Sequence, residues 1–319
     1  MILVIVNGDR SMRLDQLKFF VAAAEHGSIS EAARRVHLAQ PAFSAHIKTL
    51  EYDLGVTLFL RSRRGVVLTE AGQRLYDGAI ALFRHVDQVR EEAISAGDLS
   101  GEVRIVLAGS LAPLLAGQIF LDTHQAFPNI RLSILDLLRV SSETMVTARL
   151  VDFGLLPNAA TLVGAASEPV LSQELYLVGR HLPGCASSEI PFRQLHQYPL
   201  VMGGRRNQLR IDLENTAART SHRINVVSEQ DSLSVYRSII LNGPFYTVVP
   251  YSAYSAEIER GSLAAARIVE PIVERTTSFV WHAHSELSGG AKAVMELLKL
   301  RIKDMVRNGR LRGRLIQPA

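Results

Sequence analysis

Residues 37–50 read HLAQPAFSAHIKTL, and this stretch decides how the first part of the chain folds. Phe43, Ile47, Leu50 and Leu54 recur at i, i+4, i+7 and i+11, one apolar face at helical period. Pro41 suits the first helical position, where its missing N–H would be unpaired anyway. Gln40, Ser44, His46 and Lys48 are left on or near the outer side. An ordinary solvated helix would carry such residues, and so would a helix that presents hydrogen-bonding groups to a partner. The flanking segments decide between the two.

Upstream, Leu14, Leu17, Phe20, Val21 and Ala24 form a helical stripe that stops at Gly27, a helix end. Ser28-Ile-Ser-Glu31 then has the capping-box pattern, a Ser followed three positions later by Glu. It opens a short helix over 29–36 with Ala32, Ala33 and Val36 inward, and small alanines allow close helix approach. Residues 37–39 connect it to the helix quoted above, which is helix-turn-helix spacing. Downstream the chain reads VTLFLRSRRGVVLTEAG over 56–72. Leu58 and Leu60 precede Arg61, Arg63 and Arg64, Gly65 turns the chain, and Val66 and Val67 pair back as a small wing. Arginines at a hairpin tip are usually only solvated. Beside a helix-turn-helix, both elements would meet one phosphate backbone.

A long helix follows from Thr69, its N-cap, to residue 95. Leu75, Ala79, Leu82, Val86, Val89 and Ala93 are spaced 4, 3, 4, 3, 4, a heptad seam. Such a seam can pack on its own domain. Tyr76, Ile80 and Phe83 widen it, and dimerisation through this helix is the favoured reading. AGDLSG over 96–101 is the hinge.

Beyond the hinge, strand-like and helix-like segments alternate. Strands are expected over 103–108, 130–135 and 151–156, with helices over 111–127 and 142–150 between them. A second set follows: strands over 175–178, 200–202, 224–227 and 246–249, with helices over 208–218 and 232–241. The segment 276–282 and a final helix over 290–307 complete the first lobe. This run of βα units predicts a parallel sheet with right-handed crossovers. A sheet interrupted by a second lobe and then resumed needs two linkers, near 168–172 and 269–275, with a ligand cleft between the lobes.

Composition fits this division. The chain has 319 residues, enough for two or three domains, with 21% charged and 47% hydrophobic residues, a globular balance. The single cysteine, Cys185, excludes an internal disulfide and a multi-cysteine metal cage, and it fits a reducing cytoplasm. No apolar run approaches the roughly 20 residues that span a bilayer, so no membrane partner is expected. MILVIVNGDR at the start lacks a preceding basic region and a small-residue cleavage site; it reads as an extension, with a second start-like segment at Met12. A net charge of +4 permits an anionic partner without demanding one.

From Leu14 to Gly72 the chain resembles the LysR-type transcriptional regulators almost position by position. The resemblance is carried by Phe19–Phe20, Gly-Ser at 27–28, Glu-Ala-Ala at 31–33, Gln-Pro-Ala at 40–42 and Ser44. Leu50–Glu51, Leu54–Gly55, Leu58–Phe59, Arg61 and Leu68–Thr69 through Gly72 continue in register. Over 101–307 it persists in layout, a two-lobed, periplasmic-binding-protein-like α/β effector domain, most similar to the nitrogen-assimilation and cysteine-control regulators. The boundaries that follow are an extension over 1–11, a winged helix-turn-helix over 12–67 and a linker helix with hinge over 68–100. The effector domain takes 101–319, with lobe I over 101–170 and 274–319 and lobe II over 171–273.

The resemblance implies that the helix from Gln40 enters a major groove with Gln40, Pro41 and Ser44 near base edges, and His46 and Lys48 on the same element. It implies phosphate contacts at Ser28 and Ser30, and phosphate or minor-groove contacts at Arg61, Arg63 and Arg64. Ala45 departs from the pattern, because many members carry Arg or another long polar residue there. Operator preference then leans on Gln40, Ser44 and DNA shape.

For the effector, the resemblance puts the hydroxyl of Ser110, followed by Leu111, at a helix N-terminus facing the cleft. GGRRN over 203–207 is the matching loop of lobe II, and its Arg205, Arg206 and Asn207 at a helix start favour an anion. In NGPFYTVVP over 242–250, Pro244-Phe245 replaces the family's Gly-x-Gly-like turn, and Phe245 and Thr247 are further cleft candidates. A small organic acid is the expected effector. The implied partners are double-stranded operator DNA, a second copy in a homodimer, a homotetramer built from it, and RNA polymerase; no cofactor is implied.

Other classes are weaker. His282 and His284 share a strand face without a third metal ligand, Cys185 has no identified base, and no phosphate-binding glycine motif occurs. An enzyme using the two-lobed domain would need an acid, base or nucleophile, and the cleft loops offer Ser110 without a base. A pure ligand-binding module would leave the winged helix unexplained.

Overall fold

The stripe of residues 14–24 lies at the centre of the first folded unit. The computed structural model describes residues 3–5, 11–62, 65–94, 99–137, 139–159, 162–182, 188–205, 207–230 and 232–316. The chain divides into two compact units, Met1–Ile94 with Ala148–Leu150, and Ser95–Thr147 with Val151–Ala319. In the first, β1 (Leu3–Ile5) pairs antiparallel with β2 (Ser11–Arg13), so part of the segment expected as an extension is a strand. There follow α1 (Leu14–His26), α2 (Ile29–Arg35), α3 (Gln40–Leu54), the wing strands β3 (Phe59–Ser62) and β4 (Gly65–Leu68), and the long α4 (Glu70–Ile94).

The local signals act as their chemistry dictates. α1 stops at Gly27, whose φ of +60° suits a residue without Cβ. Ser28 Oγ accepts from Glu31 N at 3.3 Å, one half of the capping box. The Glu31 carboxylate turns instead to Arg34 and Arg35. α3 begins one residue before Pro41, which puts the proline at its second position, still within the turn whose N–H groups lack helical partners. Thr69 Oγ1 accepts from Gly72 N at 2.9 Å and caps α4 as expected. Leu17, Phe20, Phe43, Ile47, Leu50, Leu58 and Phe59 are buried together as the core of this unit.

The second unit begins with β5 (Gly101–Ala108), α5 (Ala112–Ala126), β6 (Ile130–Leu137), α6 (Arg139–Thr147) and β7 (Phe153–Pro157). β8 (Ala165–Gly179), β9 (Glu189–Pro191), β10 (Leu200–Met202), α7 (Gln208–Arg219), β11 (Val226–Glu229), α8 (Leu233–Asn242) and β12 (Tyr246–Pro250) come next. The chain closes with α9 (Ser255–Glu259), β13 (Ala264–Val269), β14 (Glu274–His282), α10 (Gly289–Arg307) and β15 (Arg314–Leu315). The main strand order is β11-β10-β12-β8-β14-β7-β5-β6.

Two expectations are corrected here. The sheet is mixed: β5–β6, β5–β7, β10–β11 and β10–β12 are parallel, whereas β14 runs antiparallel to β7 and β8, and β12 and β13 antiparallel to β8. The chain leaves lobe I along β8 and returns along β14, so these neighbouring strands must oppose each other. The strand expected over 175–178 begins already at Ala165, so the linker expected near 168–172 lies within β8, which serves both lobes. Pro169 is tolerated there because the β8–β14 register slips beside it, at Thr277/Ser278. Each lobe has its own core. Ile105, Leu107, Leu115, Phe153, Phe279 and Leu298 fill the first, and Leu177, Phe192, Leu200, Leu213, Val248 and Ile268 the second.

Candidate functional site

In the first unit, burying Phe43, Ile47 and Leu50 forces the opposite side of α3 outward. Pro41, Ala45, Lys48 and Tyr52 recur at i, i+4, i+7 and i+11 on that side and all are exposed, Tyr52 to 84%. Gln40 is exposed beside them and Ser44 is half-buried on the same flank. His46 points elsewhere: its ring lies 4.9 Å from that of Phe19, between α3 and α1. Thr49 is exposed as well, and the complement of the buried stripe already names Tyr52 as an outward residue.

The wing is seated by close backbone contacts. Val66 N donates to Gly27 O at 2.9 Å, and a Cβ on Gly65 would stand 2.2 Å from that same oxygen. Only glycine fits there, at φ +128°. Glu51 on α3 accepts from Leu58 N at 2.8 Å and Phe59 N at 3.2 Å, and its other oxygen lies 3.7 Å from Arg61 Nη2. Arg63 and Arg64 lie outside the described residues. Ser28 is half-buried as a cap and Ser30 is exposed.

On α4 the expected seam divides. Ala79 is buried, and Leu75 and Leu82 pack with Tyr76, Ile80 and Phe83 against the core of their own unit. Val86 and Val89 are 44% and 52% exposed, and the side chain of Ala93 lies outside the described residues.

In the second unit, a cavity of about 130 Å³ opens between the lobes. Ser110, Asn158 and Arg275 reach it from lobe I, and Gly203, Asn207 and Thr247 from lobe II. Apolar walls come from Leu156, Met202, Val248 and Ala253, and tyrosine walls from Tyr236 and Tyr254. Three of the residues singled out in the sequence therefore meet: Ser110, Asn207 and Thr247. Leu111 is in the lobe I core, Arg205 is exposed away from the lining, Phe245 packs in the lobe II core, and Arg206 lies outside the described residues.

The lining charge comes instead from Arg275 on β14, 8% exposed, whose Nη2 donates to Ser110 Oγ at 2.6 Å. Among the described residues the lining holds no carboxylate. A strand arginine in an expected linker gives no sequence signal, because only the β8–β14 crossing turns it inward. Asn207 Oδ1 caps α7 by accepting from Leu209 N at 3.0 Å, which leaves its amide to the cleft. Across the cleft edge, Asn158 Nδ2 and Gln208 Nε2 donate to the two oxygens of Asp212 at 2.6 and 2.8 Å. Burial pushes the Tyr254 phenol up to about 12, with Glu257 adding to the rise and Arg237 opposing it.

Residues 14–73 match the family described as "Bacterial regulatory helix-turn-helix protein, lysR family", and residues 96–302 match "LysR substrate binding domain". The chain is a LysR-type transcriptional regulator. It is 31% identical over 294 residues to the nitrogen assimilation regulatory protein Nac of Klebsiella aerogenes, covering 90% of this chain and 94% of that protein. It is 26% identical over 298 residues to OxyR of Escherichia coli K12, covering 91% and 96%. Among solved structures, a full-length OxyR variant of Pseudomonas aeruginosa superimposes with a TM-score of 0.67 at 22% identity, covering 92% of this chain and 98% of that one. Full-length CbnR complexed with its target DNA gives 0.66 at 22% identity, covering 91% and 99%.

The LysR regulator thus pairs a DNA-binding helix-turn-helix with an effector-binding domain, and the relatives it matches are transcriptional regulators. LysR regulators bind DNA operators and small-molecule effectors. No helix among the described residues is long and apolar enough to cross a membrane.

Proposed function

We propose that this regulator reads its operator with Gln40, Ser44 and the outer strip of α3, holds phosphate with the wing and Ser28–Ser30, and responds to a small organic anion in the interlobe cleft. Gln can pair bidentately with adenine, Ser with several bases, and Ala45 can touch a thymine methyl. Two copies join through the free end of the α4 seam, at Val86 and Val89, and present two recognition helices to a pseudo-palindromic site. Effector domains pair further into a tetramer that bends the DNA between two sites. Ligand-driven closure of the cleft favours one pairing over another, which changes the bend and the access of RNA polymerase. The protein works in the cytoplasm, where its DNA is.

The observation that carries the effector reading is the buried guanidinium of Arg275, tied to Ser110 and facing a cavity without described carboxylates. A carboxylate of the ligand would take the place of Ser110 on that fork. At about 130 Å³ the cavity is close in size to one of about 150 Å³ that takes a benzene ring, which suits a small acid.

The test is thermal unfolding of the full chain against a panel of small mono- and dicarboxylates. A bound acid at a hundred times its Kd adds about 2.7 kcal/mol and raises Tm. The rise should vanish in Arg275→Met. A panel that shifts neither protein, or shifts both equally, refutes the anionic assignment.

A further inference from the structure

The last residues of the chain do not simply trail from α10. Leu311 is 1% exposed and anchors the segment in the lobe I core. From there β15 pairs antiparallel with β8, Arg314 opposite Ser172 and Leu315 opposite Leu171, at the point where β8 passes from one lobe to the other. The fit is close. A Cβ on Gly313 would stand 2.8 Å from both Leu171 Cδ1 and Ser172 O.

Arg312 then reaches lobe II. Its guanidinium carbon lies 3.6 Å from the ring centroid of Tyr251, just beyond β12, and Tyr251 packs edge-on against Tyr176 of β8 at 5.5 Å. Behind this stack, the buried amide of Gln173 donates both to Ser252 Oγ at 3.1 Å and to the carbonyl of Arg312 at 3.2 Å. Gln173 is also the strand partner of Arg275, the cleft guanidinium. One segment therefore holds lobe I by its core, the crossing strand by its backbone and lobe II by a cation on an aromatic face.

We propose that residues 310–316 are an interlobe strap, and that Arg312 is a positioning residue that sets the angle between the lobes. β8 and β14 bend or twist when the lobes change their opening, and the strap is the third connection across that hinge. Because Arg312 is exposed, its contact with Tyr251 can break and reform without unfolding either core. A contact of this strength biases a two-state hinge without locking it. The geometry stands on its own, whereas its consequence for regulation rests on the cleft-closure reading above.

The test is the interlobe distance without any effector, so its outcome is independent of the ligand assignment. Nitroxide labels would go on Lys303→Cys in α10 and Ala218→Cys in α7, in the full chain carrying Cys185→Ser and diluted with unlabelled protein. Arg312→Ala should shift the population away from the wild-type distance by about two- to fivefold, the range exposed cation–π contacts support. Tyr251→Leu should do the same, and Tyr251→Phe, which keeps the ring face, should restore the wild-type distribution. An Arg312→Ala distribution that matches wild type overturns the strap. A Tyr251→Phe shift as large as that of Arg312→Ala overturns the stack as its cause.

Discussion

Arg61 of the wing and Glu51 of α3 stand 3.7 Å apart, so the described wing arginine is tied to the helix it flanks. The same carboxylate receives the N–H groups of Leu58 and Phe59. Glu51 thereby sets where the wing leaves the helix, and it also holds back a cation that could otherwise go to phosphate.

Separating these roles gives the first prediction. Glu51→Ala strands two N–H groups and should destabilise the DNA-binding unit by about 1–3 kcal/mol. Glu51→Gln keeps an oxygen for them and releases Arg61. Its stability should stay near wild type, while the salt dependence of DNA binding steepens by about one phosphate contact, a slope change near 0.9. Denaturant melts and a salt titration read the two. Equal melts for all three proteins would show that Glu51 does not seat the wing.

The α4 seam yields a second. Its first half is spent on the unit's own core, so association should depend on Val86 and Val89 rather than on Leu75 or Ala79. A Val86→Asp/Val89→Asp protein should sediment as a smaller assembly than wild type, having lost the association through α4, with its helix content kept, since both side chains are half exposed already. If the double variant still sediments as wild type, the partner surface lies elsewhere.

The N-terminal half of this reading was legible because its signals are local. The stripe in α3, the stop at Gly27, the caps at Ser28 and Thr69 and the glycine of the wing each depend on neighbours in sequence. The interlobe cavity was legible only at Ser110 and Asn207, beside helix starts, and at Thr247, one residue into β12. Arg275 was hidden, because its inward direction comes from strand crossing. β8 was hidden too: Pro169 and the charged residues around it break the apolar alternation, and only pairing on both edges makes a strand of them.

Tyr254 supplies a pH prediction. Its phenol titrates near 10 when unfolded and is pushed up to about 12 in the fold. The folded state therefore keeps a proton that the unfolded state loses between these values, so stability is intact below pH 10 and falls as pH rises towards 12. The loss from this group is roughly 2–3 kcal/mol. Tyr254→Phe should flatten the alkaline limb of a stability–pH curve. An unchanged limb would mean that other groups govern it.

The most direct measurement for the central claim is binding of the purified full chain to the DNA upstream of its own gene, across a salt series. The Gln40→Ala/Ser44→Ala protein and Lys48→Ala would be measured beside it. The wild type should bind tightly, with an affinity that falls steeply with salt. The double variant should lose its preference over random DNA by about 1–3 kcal/mol for each good base contact removed, while keeping its salt slope. Lys48→Ala should weaken all sequences alike and reduce the slope by about one contact. A double variant that discriminates its site as well as wild type does would contradict the assignment of base reading to the start of α3.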